Sequence, residues 1–252
     1  MKTAVISGGN GGLGRALAAQ LEGQGWHCVL LDVNIAGLEA SNSRTSAAVD
    51  LTDLTALERA TSQIIAARPS IDLVIYNAGV SQIAPFEETN AGSHGRVFHI
   101  IYFAAVEMTR VFLHSIRKSG GTHLGISSVA GFAPLHGRTA YAASKHAMQG
   151  FFSSLRSEEA PFGVRCLIAA PSFIATNIGN AQRTEDGILR PGAATDGIDY
   201  MTPEAAAKVI LRGVDKGQEF IPVGRVALLA SLLMRVSPKL YQRSMLRNLR
   251  AK

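Results

Sequence analysis

The sequence predicts an α/β fold: a doubly wound parallel sheet of about seven strands with helices on both faces. Three observations predict it. Short apolar runs of strand length alternate with helical patterns along the 252 residues, the order that builds βαβ units. The runs are apolar throughout, so both faces of the sheet must be covered. The first run breaks into a glycine-rich turn directly before a helix, a junction typical of such sheets.

The elements follow in order. "TAVIS" (3–7) precedes a helix at 12–25, and "HCVLLD" (27–32) precedes a short helical piece near 36–40. "SAAVD" (46–50) leads to a helix at 53–67, and "IDLVIY" (71–76) leads through a loop to a long helix at 96–118. "GTHLGIS" (121–127) leads to a helix at 139–158, and "VRCLIAA" (164–170) to an irregular polar stretch at 177–200. Thr202 is an N-cap and Pro203 the first position of a helix over 202–214, an arrangement both residue types favour. "QEFIPV" (218–223) closes the sheet. With no repeat or linker, the chain reads as one domain.

Composition excludes several function classes. The N-terminal "MKTAVISGG" reads as a buried strand, not a signal peptide, because its apolar run meets glycine at once. The longest apolar run, 226–234, is too short to span a bilayer. Cys28 and Cys166 sit in strand-like runs and read as buried structural thiols of a cytoplasmic protein. The net charge of +6 is concentrated at one end. Seven basic residues and no acidic one follow Gly224, and the remaining 18 basic residues face 19 acidic ones. Nucleic acid is therefore not an expected partner. The seven histidines show no metal-binding spacing, no metal is expected, and no G-x-S-x-G elbow points to a hydrolase.

"SGGNGGLG" (7–14) joins the first strand to the first helix. Glycines there let backbone N–H groups approach a pyrophosphate at the positive end of the helix. Asp32 ends the second strand, 18 residues beyond Gly14, where an acid accepts hydrogen bonds from an adenosine ribose. A 2′-phosphate would face that carboxylate, and Val33 and Asn34 bring no positive charge. The expected cofactor is NAD in preference to NADP.

The glycines also fit the spacing Gly8-x3-Gly12-x-Gly14. With it the chain resembles the classical short-chain dehydrogenase/reductase family over nearly its whole length. Ser7 stands where the family has Thr, Asp50-Leu51 matches the pair that lines the adenine, and "YNAG" (76–79) resembles Asn-Asn-Ala-Gly with Tyr76 in the first position. Ser128, in "ISS", precedes Tyr141 by 13 residues, "YAASK" (141–145) supplies Tyr141 and Lys145, and "PSFIAT" (171–176) resembles the segment beside the nicotinamide. The resemblance implies a Rossmann-type sheet in the order 3-2-1-4-5-6-7. It also implies a cofactor site of Gly8, Asn10, Gly12, Leu13, Gly14, Asp32, Asp50, Leu51, Asn77, Ala78, Gly79, Tyr141, Lys145, Pro171, Ile174 and Thr176.

The expected chemistry follows from the residue types. Oxidising an alcohol releases a hydride, which the nicotinamide takes, and a proton, which needs a base. A free tyrosine, with a pKa of about 10, is a poor base near neutrality. An ammonium one helical turn away, at Lys145, lowers that pKa. Ser128 would hold the substrate oxygen. Ser128, Tyr141 and Lys145 are the candidate catalytic residues of an enzyme interconverting a secondary alcohol and a ketone.

One departure from the family matters for the chemistry. The usual Asn of the long helix, which distorts the helix and supports a water chain to the lysine, aligns with Ile101. A backbone carbonyl with waters carries the relay, or the relay is weakened, or the protein is a dinucleotide-binding sensor or scaffold. The reading adopted is that activity survives.

The substrate wall, near 81–83, 132–136 and 172–173 with a lid at 177–200, is mostly apolar, so a hydrophobic alcohol or ketone is expected. His136 lies in that wall as a plain loop residue or a substrate contact. The long helix and the one carrying Phe151 and Phe152 are apolar on more than one side, which calls for a partner; a homodimer or homotetramer is expected. Residues 225–252 read as a basic helical extension packed on this protein or a neighbouring subunit, in preference to an interfacial helix on anionic lipid.

Overall fold

β1 (Thr3–Ser7), β2 (His27–Asp32), β3 (Arg44–Ala48), β4 (Leu73–Tyr76), β6 (Thr122–Ile126), β7 (Arg165–Pro171) and β9 (Phe220–Val223) form one seven-stranded sheet. Its order is β3-β2-β1-β4-β6-β7-β9, and every pairing is parallel. The order 3-2-1-4-5-6-7 that the resemblance implied is therefore the observed one. A separate two-stranded piece pairs β5 (Ser81–Gln82) with β8 (Ile188–Leu189), antiparallel. The computed structural model describes residues 1–176, 188–189 and 199–250. Most of the expected lid, 177–200, lies outside the described residues.

Side chains alternate across each strand and feed two cores. Ala4, Ile6, Leu30, Ile75, Leu124 and Leu167 meet α1 (Gly12–Gly23) and α6 (Pro203–Asp215) on one face. Val5, Val29, Leu31, Val74, Tyr76 and Ile168 meet α2 (Leu54–Ala67), α4 (Ala104–Ser119) and α5 (Thr139–Glu159) on the other. This two-sided burial explains the uninterrupted apolar runs. Cys28 and Cys166 are free and buried, and burial pushes both thiols up to about 12. Thr202 does cap α6, its side chain accepting from Ala205 N at 3.2 Å.

Three expectations are corrected. No helix forms at 36–40; Asn34 Oδ1 accepts from Ala36 N at 2.9 Å and Gly37 has φ +73°, a side-chain-capped turn in place of a helix. β3 begins at Arg44, which leaves Asp50 in the loop beyond it. The long helix begins earlier, with α3 (Ala91–Phe98) capped by Asn90, whose Oδ1 accepts from Ser93 N. Ala91–Ser119 is long and apolar enough by composition to cross a membrane, yet Val97, Met108, Phe112 and Ile116 are buried in the second core, as in a core helix.

Between α3 and α4 the chain widens into a π turn, His99–Phe103, where Ala104 N donates to His99 O. Ile101 is buried at its centre. The helix is thus distorted at the position where the family places its Asn, without that Asn. α5 lies close over β6, because a Cβ at Gly125 would come within 2.7 Å of the Phe152 ring. Arg117 of α4 and Glu159 of α5 add a bidentate ion pair at 2.9 and 2.6 Å.

Tyr76, in place of the family's Asn, ties the layers together. Its Oη is 2.6 Å from His123 Nδ1 and 2.9 Å from Thr109 Oγ1. Burial lowers the His123 pKa to about 4; Glu159 opposes this and Arg117 adds to it. The unfolded chain, with a pKa near 6.5, binds the proton first as pH falls. The contribution of neutral His123 is thus complete above pH 6.5 and lost on descent to pH 4. Urea unfolding is expected to show wild type losing roughly 3 kcal/mol more than His123→Asn between those pH values. Parallel pH profiles would refute this account.

Candidate active site

The parallel strands end at one edge, and the loops leaving them build the site. The chain leaves β1 through Gly8, at φ +63°, a left-handed conformation that suits glycine. A Cβ at Gly14 would collide with Gly8 O, and one at Gly12 would lie 3.0 Å from Thr176 Cβ. These contacts let α1 start against the strand end and bring the 171–176 segment over it. No side chain caps α1 at Gly11, and no acidic residue stands in its first turn. Its free N–H groups and positive end are left for an anion.

Asp32 closes the far side. Its Oδ2 accepts from Asn10 N at 2.9 Å and its Oδ1 from Asn34 N at 3.2 Å. Asn10 Nδ2 donates to Asn34 O at 2.6 Å, while its buried Oδ1 has no partner among the described residues. Asp50 Oδ1 accepts from Thr52 N at 2.9 Å, and Leu51 is buried in the second core. Asn77 Nδ2 donates to Gly8 O at 3.0 Å, and Ser7 Oγ receives the N–H groups of Asn77 and Ala78 at 3.0 and 3.1 Å. The hydroxyl kept at Ser7 thus binds β1 to the 77–79 turn. Ile174 bridges to Met201. A nucleotide fits this cradle: small residues, an uncapped helix start and a carboxylate at its end.

The three candidate catalytic residues converge beside it. Ser128 follows β6 and is buried; its Oγ accepts from Ala130 N at 3.1 Å. Tyr141, in the first turn of α5, hydrogen-bonds Ser128 through its side chain. Lys145, one turn on, donates from Nζ to Ile126 O at 2.7 Å and lies 5.7 Å from the Tyr141 ring centroid. A Cβ at Gly79 would sit 3.6 Å from Ile101 Cγ1 and 3.8 Å from Lys145 Nζ. The replaced residue therefore lies next to the lysine pocket.

The electrostatics differ from the sequence-derived expectation. Burial raises the Tyr141 pKa, offset in part by the Ser128 hydrogen bond and by the charge of Arg138. Desolvation brings Lys145 down to about 7, so its ammonium is weakly held.

Three contributors escaped sequence reasoning. Arg15 Nε, Nη1 and Nη2 donate to the carbonyls of Asn10, Gly37 and Ala36 at 3.2, 3.3 and 3.4 Å. Its signal was adjacency to Gly14. Buried Arg138 is the N-cap position just ahead of α5, three residues before Tyr141; its signal was proximity to the YAASK segment. The Ile126 carbonyl left no sequence signal. Among the described residues no cluster of three His, Cys, Asp or Glu is placed to hold a metal.

A family model described as short chain dehydrogenase matches residues 2–187. The chain belongs to the short-chain dehydrogenase/reductase family. Dehydrogenase/reductase SDR family member 7B of Xenopus tropicalis is 31% identical, over 94% of this chain and 82% of its own length. A short-chain dehydrogenase from Streptomyces avermitilis has the same fold at TM-score 0.82 and 24% identity, covering 98% of this chain and 99% of that one. A short chain dehydrogenase from Burkholderia cenocepacia, solved in complex with NADP, superposes at TM-score 0.84 and 20% identity, covering 98% and 99%. The chain is therefore an oxidoreductase by family, with a fold that binds a nicotinamide dinucleotide.

Removing Lys145 should stabilise the protein. Its folded pKa, about 7 against 10.5, means that the unfolded chain gains the proton first as pH falls, so the lysine costs stability at neutral pH. Lys145→Met is expected to melt above wild type at pH 7 without dinucleotide, and to converge with it above pH 10. A lower melting temperature at pH 7 would show that the bond to Ile126 O outweighs desolvation.

Proposed function

We propose that the protein is an NAD(H)-dependent oxidoreductase interconverting a secondary alcohol and a ketone on a small-to-medium hydrophobic substrate. The observation that carries this reading is the meeting of Ser128, Tyr141 and Lys145 beside the uncapped start of α1. Gly8, Asn10, Gly12 to Gly14, Asp32, Asn77 to Gly79 and Thr176 would hold the dinucleotide. When bound, it accepts or supplies the hydride.

The chain's own residues handle the proton. Ser128 Oγ holds the substrate oxygen near the Tyr141 hydroxyl. In reduction, Tyr141 Oη donates its proton to the developing alkoxide; in oxidation it takes the alcohol proton. Its raised pKa keeps it protonated, suited to the donor role. Arg138, and Lys145 once its ammonium is held by a ligand, favour the phenolate form. Ile126 O orients Nζ without a side-chain amide from the long helix. The preserved π turn around Ile101 supports activity over the sensor reading.

Asp32 supports NAD over NADP. Its carboxylate already receives two backbone N–H groups and would repel a 2′-phosphate. Arg15 brings a positive charge to the same loop, but each of its three nitrogens donates to a carbonyl. The partly buried Leu135 and Phe173 favour an apolar substrate, whereas Phe132 packs on Phe220 and the α7 cluster; His136 is exposed in the same loop as Leu135. Exposed Phe103, with Tyr102 and Phe151 in ring contact beside it, supports a homo-oligomer through α4 and α5. A cytoplasmic location fits the two free thiols.

With NADH and a panel of hydrophobic ketones, Tyr141→Phe is expected to lower kcat about a hundred- to ten-thousand-fold while NADH binding is kept. A wild type no faster than Tyr141→Phe across the panel would favour the sensor. NADH is expected to bind more tightly than NADPH by fluorescence, and Asp32→Ala to narrow the gap. Tighter NADPH binding by wild type would overturn the cofactor assignment.

A further inference from the structure

After β9 the chain forms two helices, α7 (Arg225–Val236) and α8 (Pro238–Arg250), joined through Ser237. The expectation that this segment packs on protein holds for one face only. Ala227 and Ala230 of α7 pack on Val129 and Ala133, in the loop after Ser128, with Met234 and Tyr241 against the same cluster. Tyr241 Oη donates to Pro134 O at 3.4 Å. The opposite face of α7 carries Leu228, Leu229, Leu232 and Val236, one stripe at helical spacing, between 48% and 84% exposed. On α8, Lys239, Arg243 and Arg247 stand four apart in one exposed row, beside Leu240 and Leu246, which are about half exposed.

A monomer seldom leaves a leucine stripe of this kind uncovered. The charges indicate the cover. The segment from Arg225 onward holds seven basic residues and no acidic one. A symmetric contact with a second copy would set this face against itself, bringing like charges together with nothing to neutralise them. Leucine and valine, the residues of this stripe, are also under-represented among those that carry binding energy at protein interfaces. Apolar residues at helical spacing beside a basic row match a surface that is apolar within and negative outside.

We propose that the α7–α8 pair docks on an anionic lipid surface, its leucines entering the interface and its basic row meeting lipid headgroups. The docked helices would rest directly on the loop that follows Ser128.

The test is co-sedimentation of the full chain with phosphatidylcholine vesicles, with and without phosphatidylserine. Binding is expected only to the phosphatidylserine vesicles, and salt should weaken it. Replacing Lys239, Arg243 and Arg247 by Gln should lower partitioning about fivefold for each charge removed. Leu228→Ser combined with Leu229→Ser and Leu232→Ser should lower it as well. All of these side chains are exposed, so melting temperatures matching wild type establish that the variants fold. No sedimentation with phosphatidylserine vesicles, or sedimentation unchanged in both variants, would overturn the proposal. So would a leucine variant that dissociates an oligomer by light scattering, which would assign the face to a second copy. Neither readout depends on turnover.

Discussion

Every strand of the main sheet runs the same way, and the site exists because of it. Parallel register places the carboxyl ends of β1, β2, β4, β6 and β7 along one edge, so segments far apart in sequence leave the sheet as neighbours. Ser7 reaches the 77–79 turn through hydrogen bonds of 3.0 and 3.1 Å across some seventy residues of chain. Lys145 reaches the end of β6 in the same way. Parallel strands must be covered on both faces, and that requirement supplies α5, the helix that carries Tyr141 and Lys145.

Close approach is the second theme. The site is assembled where side chains are missing: at Gly14 against Gly8, at Gly12 against Thr176, and at Gly125 under Phe152. The first two let a helix begin at a strand end. The third seats α5 low enough on β6 for Lys145 to reach the Ile126 carbonyl. The result is an electrostatically costly pocket, with a lysine brought down to about 7 and a tyrosine pushed up, both by burial. Stability given up at a site of this kind is a common accompaniment of function.

Much of this was legible in the sequence. The apolar runs report the α/β class and the glycine turn directly, while the strand order and the Ser128–Tyr141–Lys145 set were legible through the resemblance to the family. What escaped depends on groups that spacing does not encode. The Ile126 carbonyl is a backbone atom with no residue signature. Arg15 acts through three carbonyls, two of them in a turn that Asn34 caps and Gly37 closes, and apolar spacing does not encode such a turn. Tyr76 looked like a departure from a motif, whereas it joins His123 and Thr109 in a buried network. The outer leucines of α7 could not be distinguished from core leucines by composition; only the fold shows which face the alanines occupy.

The π turn at His99–Phe103 has a consequence for how this site can change over time. An extra residue in one turn is a matter of chain length, not of side-chain identity. The wide turn holds α3 and α4 in a rotational phase that buries Val97 on one side and Met108 and Phe112 on the other. Loss of one residue there would turn the first helix by about 100° relative to the second and expose one of those sets. Substitution at position 101 leaves the count, and hence the phase, untouched. The backbone kink can thus outlast the amino acid associated with it, which allows an isoleucine to occupy the place of an asparagine while the architecture around Lys145 persists.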